Sequence, residues 1–332
     1  MDLFGNTKKI KYTQNMSVIN YRPHYKPFEY QIAFEFYKQQ HRVHWLADEV
    51  PLSSDLNDWK LKLTESEKNL VGNILKSFAQ TETYVNDYWA TKVALWFPKH
   101  EIKAMACAFA DFESIHAEAY ARLNEELGLD DFEAFMEDEE AKAKIDRLVE
   151  LPGETLNEKA LSLAIFSAFT EGVNLFSSFA ILMSFQLRNL MKGTGQIVEY
   201  SVRDESLHSK AGCWLFRTLI EENPELDTKE LTQAIYEACD LSVKLEFDFI
   251  DKAFEMGDIE GLNKDQLKNF IKERANQKLI ELGYSTIYND IDPNLLKQME
   301  WFGHLTSGKT HQDFFAGRVT DYSKSTADWS DL

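Results

Sequence analysis

A twofold pattern of carboxylates and imidazoles constrains this chain more than any other feature. Glu113-Ser114-Ile115-His116 follows Glu82 by 31 residues, and Glu205-Ser206-Leu207-His208 follows Glu171 by 34. At i and i+3 on a helix, a glutamate and a histidine project to the same side. Each Glu-x-x-His alone is a weak signal. Repeated, and each with a lone glutamate on the helix before it, the pattern predicts two antiparallel helix pairs whose acidic faces meet. Carboxylate oxygen and imidazole nitrogen together suit iron or manganese. One glutamate from each of two helices and Glu-x-x-His from the other two is a known donor set for a dinuclear metal site in a helical bundle. The predicted ligands are Glu82, Glu113, His116, Glu171, Glu205 and His208. Glu82 has rival explanations, because Thr81, Thr83 and Asp87 beside it could make the same stretch a polar patch.

Helical periodicity supports this reading from about Glu29 to Trp301. Thr64 to Glu67 forms a capping box, with Thr64 reaching forward and Glu67 reaching back. The helix it opens is expected to run to about Leu95. Further helices are expected at Glu101–Leu127, ending at Gly128, at Leu156–Arg188, with Gly193 and Gly195 marking its exit, and at Ile197–Glu222. Others are expected at 228–256, 263–282 and 293–301. The acidic run Glu137–Glu140 reads as a solvated helix face. After Trp301 the periodicity ends. The expected organisation is an all-α bundle over 1–302 and a C-terminal tail over 303–332. The tail keeps Phe314, Phe315, Tyr322 and Trp329, which suits either packing on the body or docking onto a partner.

From Ala160 to Leu187 the chain has 28 residues and a single charge, Glu171. A membrane span would place that carboxylate at ruinous depth. A helix buried on all sides of a bundle needs the same composition, so burial is expected, with Glu171 paired or bound to metal. The whole chain carries 36 basic and 55 acidic residues, a net charge of −19. Phosphate backbones and anionic membranes repel such a surface, which argues against nucleic acid and membrane partners. Cys107, Cys213 and Cys239 form no C-x-x-C pair, and the N-terminus has no basic-then-apolar leader. A cytoplasmic protein with buried thiols is expected. No Gly-rich phosphate loop occurs.

Around the predicted ligands, Tyr120 lies one turn beyond His116 on the same face. It reads as either a core tyrosine or a phenol aimed at the metals. Leu175 and Phe179 follow Glu171 at i+4 and i+8 and would form a dry wall. Asp204 is off the ligand face. It is a candidate to accept the other N–H of His116, the alternative being a surface pair with Arg203.

These stretches resemble the small (beta) subunit of class I ribonucleotide reductase over nearly the whole chain, from Tyr25-Lys26-Pro27 to the tail. The similarity is carried by Trp45-Leu46-Ala47-Asp48-Glu49-Val50, Ser66-Glu67-Lys68, Phe112 to His116 with Tyr120, Glu171 in its apolar helix, and Val202 to His208. The resemblance implies a ferritin-like fold, a homodimer and a ribonucleoside-diphosphate reductase activity shared with a large (alpha) subunit. The six ligands match the family's metal ligands, and Tyr120 matches its radical-bearing tyrosine. Trp45 and Asp204 match radical-transfer residues that connect with His116, and Tyr322 matches a tail tyrosine that relays the radical to the large subunit. The last residues of the tail would dock that subunit. Glu82 departs from the aspartate found in many tyrosyl-radical members and resembles the manganese/iron subgroup, which typically lacks the radical tyrosine present here. The centre implied is therefore Fe/Fe, Mn/Fe or Mn/Mn. A ferritin-like oxidase or hydroxylase with its own substrate is the alternative, and iron storage a more distant one.

Overall fold

The computed structural model describes residues 17–133, 152–255, 257 and 259–306, and its described secondary structure is helical apart from one isolated bridge between Ile259 and Leu262. Helix α1 covers Gln31–Arg42, α2 Ser53–Leu61, α3 Glu65–Asp87 and α4 His100–Leu127. Helix α5 covers Leu156–Ala164, α6 Phe176–Ser184, α7 Lys192–Glu222, α8 Lys229–Glu255 and α9 Lys264–Leu282, and two short helices follow, α10 over Pro293–Gln298 and α11 over Glu300–Thr306.

The capping box at Thr64 forms as the sequence predicts: Glu67 N donates to Thr64 Oγ1, and Glu67 Oε2 accepts from Thr64 N at 2.8 Å. Along α3 the buried positions include Val71, Ile74, Leu75, Phe78, Glu82 and Val85. Glu82 thus occupies a core position of an apolar stripe. On α4 the buried face includes Ile102, Met105, Phe109, Glu113, His116, Tyr120, Leu123 and Leu127. The two helices run antiparallel, since Asn124 Nδ2 donates to Leu75 O at 3.1 Å at one end and Asn86 Nδ2 donates to Ala110 O and, at 3.0 Å, to Ser114 Oγ at the other. That register sets Glu82 opposite Glu113 and His116.

The second pair is built differently from its expected straight helices. α5 passes into a π-helical segment over Ile165–Thr170, then into turns through Glu171 and Leu175 before α6 begins. Glu171 N bonds Phe166 O at 3.0 Å and Asn174 N bonds Phe169 O at 2.9 Å, both five residues back. Such widened turns recur at functional sites. α3 likewise continues into a π segment over Tyr88–Val93. The two π segments pack on each other, with Tyr88 stacked on Phe166 at 3.7 Å between centroids. Ser167 lies against Gly212, and Gln186 against Gly195, so close that a Cβ on either glycine would sit 2.0–2.2 Å from the side chain it faces. These contacts fix α7 antiparallel to the α5–α6 segment, with Glu171 opposite His208.

Gly193 and Gly195 therefore do not mark a helix exit but lie inside α7, which begins at Lys192. The turn between the two helices falls at Asn189 and Met191, both with positive φ. What permits the early start is a carboxylate from another element. Asp55 of α2 is fully buried and accepts Gly193 N at 2.9 Å and Thr194 N and Oγ1 at 2.6 and 2.8 Å. It neutralises the otherwise unpaired, buried amide end of α7. Asp55→Ala removes the cap and strands buried donors, and is expected to cost about 3 kcal/mol of unfolding free energy in urea. An unchanged midpoint would show that α7 needs no cap from α2.

The apolar run from Ala160 to Leu187 is almost wholly buried, and among the described residues no helix is long and apolar enough to cross a membrane. Cys213 and Cys239 are buried, with burial pushing both thiols up to about 12, whereas Cys107 is exposed, against expectation. Helical structure continues past Trp301 as far as Thr306. The acidic run Glu137–Glu140 and the tail from 307, with Phe314, Phe315, Tyr322, Trp329 and Leu332, lie outside the described residues.

Candidate metal centre

Six side chains from four helical segments converge in the core, and all are buried: Glu82, Glu113, His116, Glu171, Glu205 and His208. Their donor atoms form two overlapping groups, Glu82, Glu113, His116 and Glu205, and Glu113, Glu171, Glu205 and His208, each with donor atoms within 4.8 Å of one another. Glu113 and Glu205 belong to both. His116 Nδ1 lies 3.1 Å from Glu113 Oε2 and 3.1 Å from Glu205 Oε1. His208 Nδ1 lies 2.6 Å from Glu113 Oε1 and 3.9 Å from oxygens of Glu171 and Glu205.

This cluster is not satisfied by the protein alone. Both oxygens of Glu82 and of Glu205 and Glu171 Oε2 are buried without a hydrogen-bond partner among the described residues, and Glu113 Oε1 and His208 Nδ1 face each other at 2.6 Å without forming a hydrogen bond. Native interiors tolerate few such atoms, and here they point at one another. Burial raises the Glu82 carboxyl well above the usual range, helped by the charge of Glu113, and burial with the charge of Glu205 does the same to Glu171. Glu205 is pushed up to about 8 by burial and Glu113. Burial would raise Glu113 too, but the facing His208 and His116 hold it low. Four carboxylates and two neutral imidazoles match the charge of two divalent cations, which would relieve the repulsion and satisfy the orphaned atoms. The donors present fit a pair of such ions.

The outward edges of both imidazoles are fixed. Asp204 Oδ2 sits 3.3 Å from His116 Nε2 and accepts Trp45 Nε1–H at 2.9 Å. A carboxylate held low by His116 against the cost of burial can only accept, so it assigns the proton to Nε2 and leaves Nδ1 facing the cluster. Gln40 does the same for His208: its Oε1 lies 3.0 Å from His208 Nε2, while its Nε2 donates to Asp204 Oδ1 at 3.1 Å. Trp45 stacks on His116 at 5.9 Å between centroids, and Tyr200 lies 5.2 Å beyond it. Asp204 is thus a buried link and not a surface residue, and it also accepts from Arg203 Nε at 3.5 Å.

Tyr120 is fully buried and donates to Ser201 Oγ at 2.8 Å. Burial and the charge of Glu82 raise its hydroxyl well above the usual phenol range. Phe78 covers its ring at 4.8 Å, and Phe179 packs behind Phe78 at 5.1 Å. The dry wall foreseen from Leu175 and Phe179 therefore acts through Phe78, because the helix is broken between Glu171 and Phe176. Thr81 and Thr83 bond backbone carbonyls of their own helix and do not account for Glu82.

Gln40, Trp89, Ser201 and Phe78 were not anticipated from the sequence. Trp89 Nε1 donates to Glu171 Oε1 at 2.7 Å. Signals for three of them exist: Gln40 shares the buried face of α1 with Ala33 and Phe36, Ser201 precedes Glu205 by one turn, and Trp89 follows Glu82 by two.

Among the described residues, a helical bundle holding a buried carboxylate–histidine cluster that could take metal ions defines the ferritin-like class. The chain belongs to the ribonucleotide reductase small-chain family, whose profile, described as "Ribonucleotide reductase, small chain", matches residues 22–294. It is 32% identical to a probable ribonucleoside-diphosphate reductase small subunit of Invertebrate iridescent virus 6, over 96% of this chain and 99% of that one. It is 27% identical to the ribonucleoside-diphosphate reductase subunit beta of Chlamydia pneumoniae, over 89% and 88%. The ribonucleotide reductase R2 subunit of Clostridium botulinum shares its fold with a TM-score of 0.80 at 20% identity, covering 88% of this chain and 94% of that one. The dimanganese(II)-NrdF structure of Streptococcus sanguinis shares it with a TM-score of 0.73 at 21% identity, covering 84% and 99%.

Proposed function

We propose that this chain is the radical-generating small subunit of a ribonucleoside-diphosphate reductase and starts ribonucleotide reduction in a large-subunit partner. The observation that carries this reading is the continuous contact from the cluster through His116 and Asp204 to Trp45. A hydroxylase acting on its own substrate would not require it. Glu82 and His116 would hold one metal ion, Glu171 and His208 the other, with Glu113 and Glu205 shared. With oxygen, the bound pair supplies a one-electron oxidant; the donor set accommodates Fe/Fe, Mn/Fe or Mn/Mn.

The chain's own residues do the rest. Asp204 and Gln40 keep the Nε2 protons of the two histidines outside the cluster, so both Nδ1 atoms stay available as donors. Phe78 and Phe179 exclude water from the Tyr120 ring, which shields any radical placed there. Trp45, bonded to the Asp204 carboxylate, is the next side chain that can give up an electron. Tyr322 would carry the oxidising equivalent onward to the large subunit, and the tail from 303 would dock there. A homodimer is part of this proposal.

Tyr120→Phe tests where the oxidant rests. After metal loading and exposure to oxygen, the parent is expected to show a tyrosyl signal by electron paramagnetic resonance, and the variant none. A metal-centred signal unchanged by the substitution would place the resting oxidant on the metals. A tyrosyl signal surviving in the variant would exclude Tyr120.

A further inference from the structure

The break between α5 and α6 is held from behind by a residue of α9. In a regular α-helix Phe176 N would bond Gly172 O, four residues back. Here it bonds Val173 O at 3.0 Å, which leaves Gly172 O outside the helical ladder. Arg274 Nε donates to that carbonyl at 3.0 Å. The same guanidinium lies 3.1 Å over the centroid of the Phe176 ring and 5.8 Å from that of Phe270. Among the described residues it has no carboxylate in an ion pair, and Gly172 O is its hydrogen-bond acceptor. One side chain thus grips both ends of the unwound stretch: Gly172, just after Glu171, and Phe176, where α6 begins. α9 comes this close because Gly172 has no side chain. A Cβ there would sit 2.7 Å from Lys278 Cδ and Cε.

The unwound stretch fixes where Glu171 points. Its Oε1 accepts Trp89 Nε1–H at 2.7 Å. Its Oε2, without a hydrogen-bond partner among the described residues, lies 3.9 Å from His208 Nδ1. Gly172 is buried, so its carbonyl needs a partner. Without Arg274, the donor that a regular helix supplies is Phe176 N, and closing that bond rewinds the turn. Each residue gained or lost in a helical turn rotates a side chain by about 100°, enough to carry the Glu171 carboxylate off the cluster. We propose that Arg274 is a positioning residue of the metal centre, holding the turn at Gly172 open so that Glu171 faces His208. The inference rests on the metal site proposed above. Of the two donor groups, the one with His208 contains Glu171 and the one with Glu82 does not. Arg274 therefore serves one ion and not the other.

The test measures manganese(II) binding to the metal-free full-length protein by equilibrium dialysis with elemental analysis. Electron paramagnetic resonance reads whether the bound ions are paired. Arg274→Met keeps an apolar stem against Phe176 and removes the donor. The parent is expected to bind two ions. The variant should bind the first as the parent does and the second about 10- to 100-fold more weakly, the usual effect of removing a residue that orients a ligand. With manganese below that weakened affinity, isolated bound ions should replace the coupled pairs of the parent. Arg274→Lys, which keeps a donor, should fall between the two. Asn276→Ala removes the bonds of α9 to the backbone of Ile287 and Tyr288. It should lower the melting temperature at least as much as Arg274→Met, yet bind both ions like the parent. Two ions at the parent affinities in Arg274→Met overturn the positioning role while the metal site stands. Equal weakening of both ions in that variant, or a second ion held as weakly in Asn276→Ala, also overturns it, since Arg274 would then act only through general stability. A lysine variant no better than the methionine one overturns the hydrogen bond as the cause. A parent that binds fewer than two ions overturns the metal site, and the positioning role with it.

Discussion

Glu113→Ala and Glu205→Ala are each expected to abolish binding of both metal ions while the helices stay folded. Both carboxylates belong to both donor groups, so either change strips a ligand from each ion. Loss of a partner that merely orients a ligand typically costs 10- to 100-fold in affinity, and loss of a shared ligand costs more. Elemental analysis after loading and desalting should find well under one ion per chain. The fold survives because the bundle keeps its own apolar core. Glu205 in particular has both oxygens buried and unpartnered, and removing an uncompensated buried acid costs little. Metal-free Glu205→Ala should therefore melt no lower than the metal-free parent, whereas metal-free Glu113→Ala, which loses the carboxylate facing His116 and His208, should melt somewhat lower while staying helical. Full occupancy in both variants would refute the ligand assignment.

The second large effect lies at the other end of the chain. Cutting after Ala316 should leave metal binding intact, since the six proposed ligands lie between Glu82 and His208, yet deoxyribonucleotide formation with the large subunit should cease. Tyr322→Phe separates the two proposed roles of the tail. Phenylalanine keeps the ring, so affinity for the large subunit should hardly change. It cannot exchange a proton together with an electron, so turnover should vanish. Paired binding and turnover measurements on parent, truncation and point variant check this. Turnover near that of the parent in Tyr322→Phe would move the relay elsewhere.

Much of the centre was legible because its residues obey helical spacing. Glu113, His116 and Tyr120 recur at i, i+3 and i+7 on one regular helix, so their convergence could be read directly. The Glu171 side was legible only in part. Its burial follows from an apolar run, but the π segment over Ile165–Thr170 carries no sequence signature distinct from α-helix, and it cancels the i+4 inference to Leu175. The start of α7 was misplaced for a related reason. Two glycines usually end helices, and here a distant aspartate, Asp55, satisfies the helix end while the glycines allow Pro51 and Gln186 to approach. Gln40 was missed because its role depends on α1 crossing α4 and α7, a tertiary fact that no local spacing encodes.

The buried cluster is proposed to hold a metal pair that yields an oxidising equivalent. The most direct measurement is elemental analysis of protein loaded anaerobically with iron and manganese together, followed by electron paramagnetic resonance before and after oxygen is admitted. Two tightly held ions per chain are expected, one for each donor group, with a new radical or metal-centred signal that appears only after oxygen. One ion or fewer per chain, or two ions with no oxidised species after oxygen, would contradict that proposal.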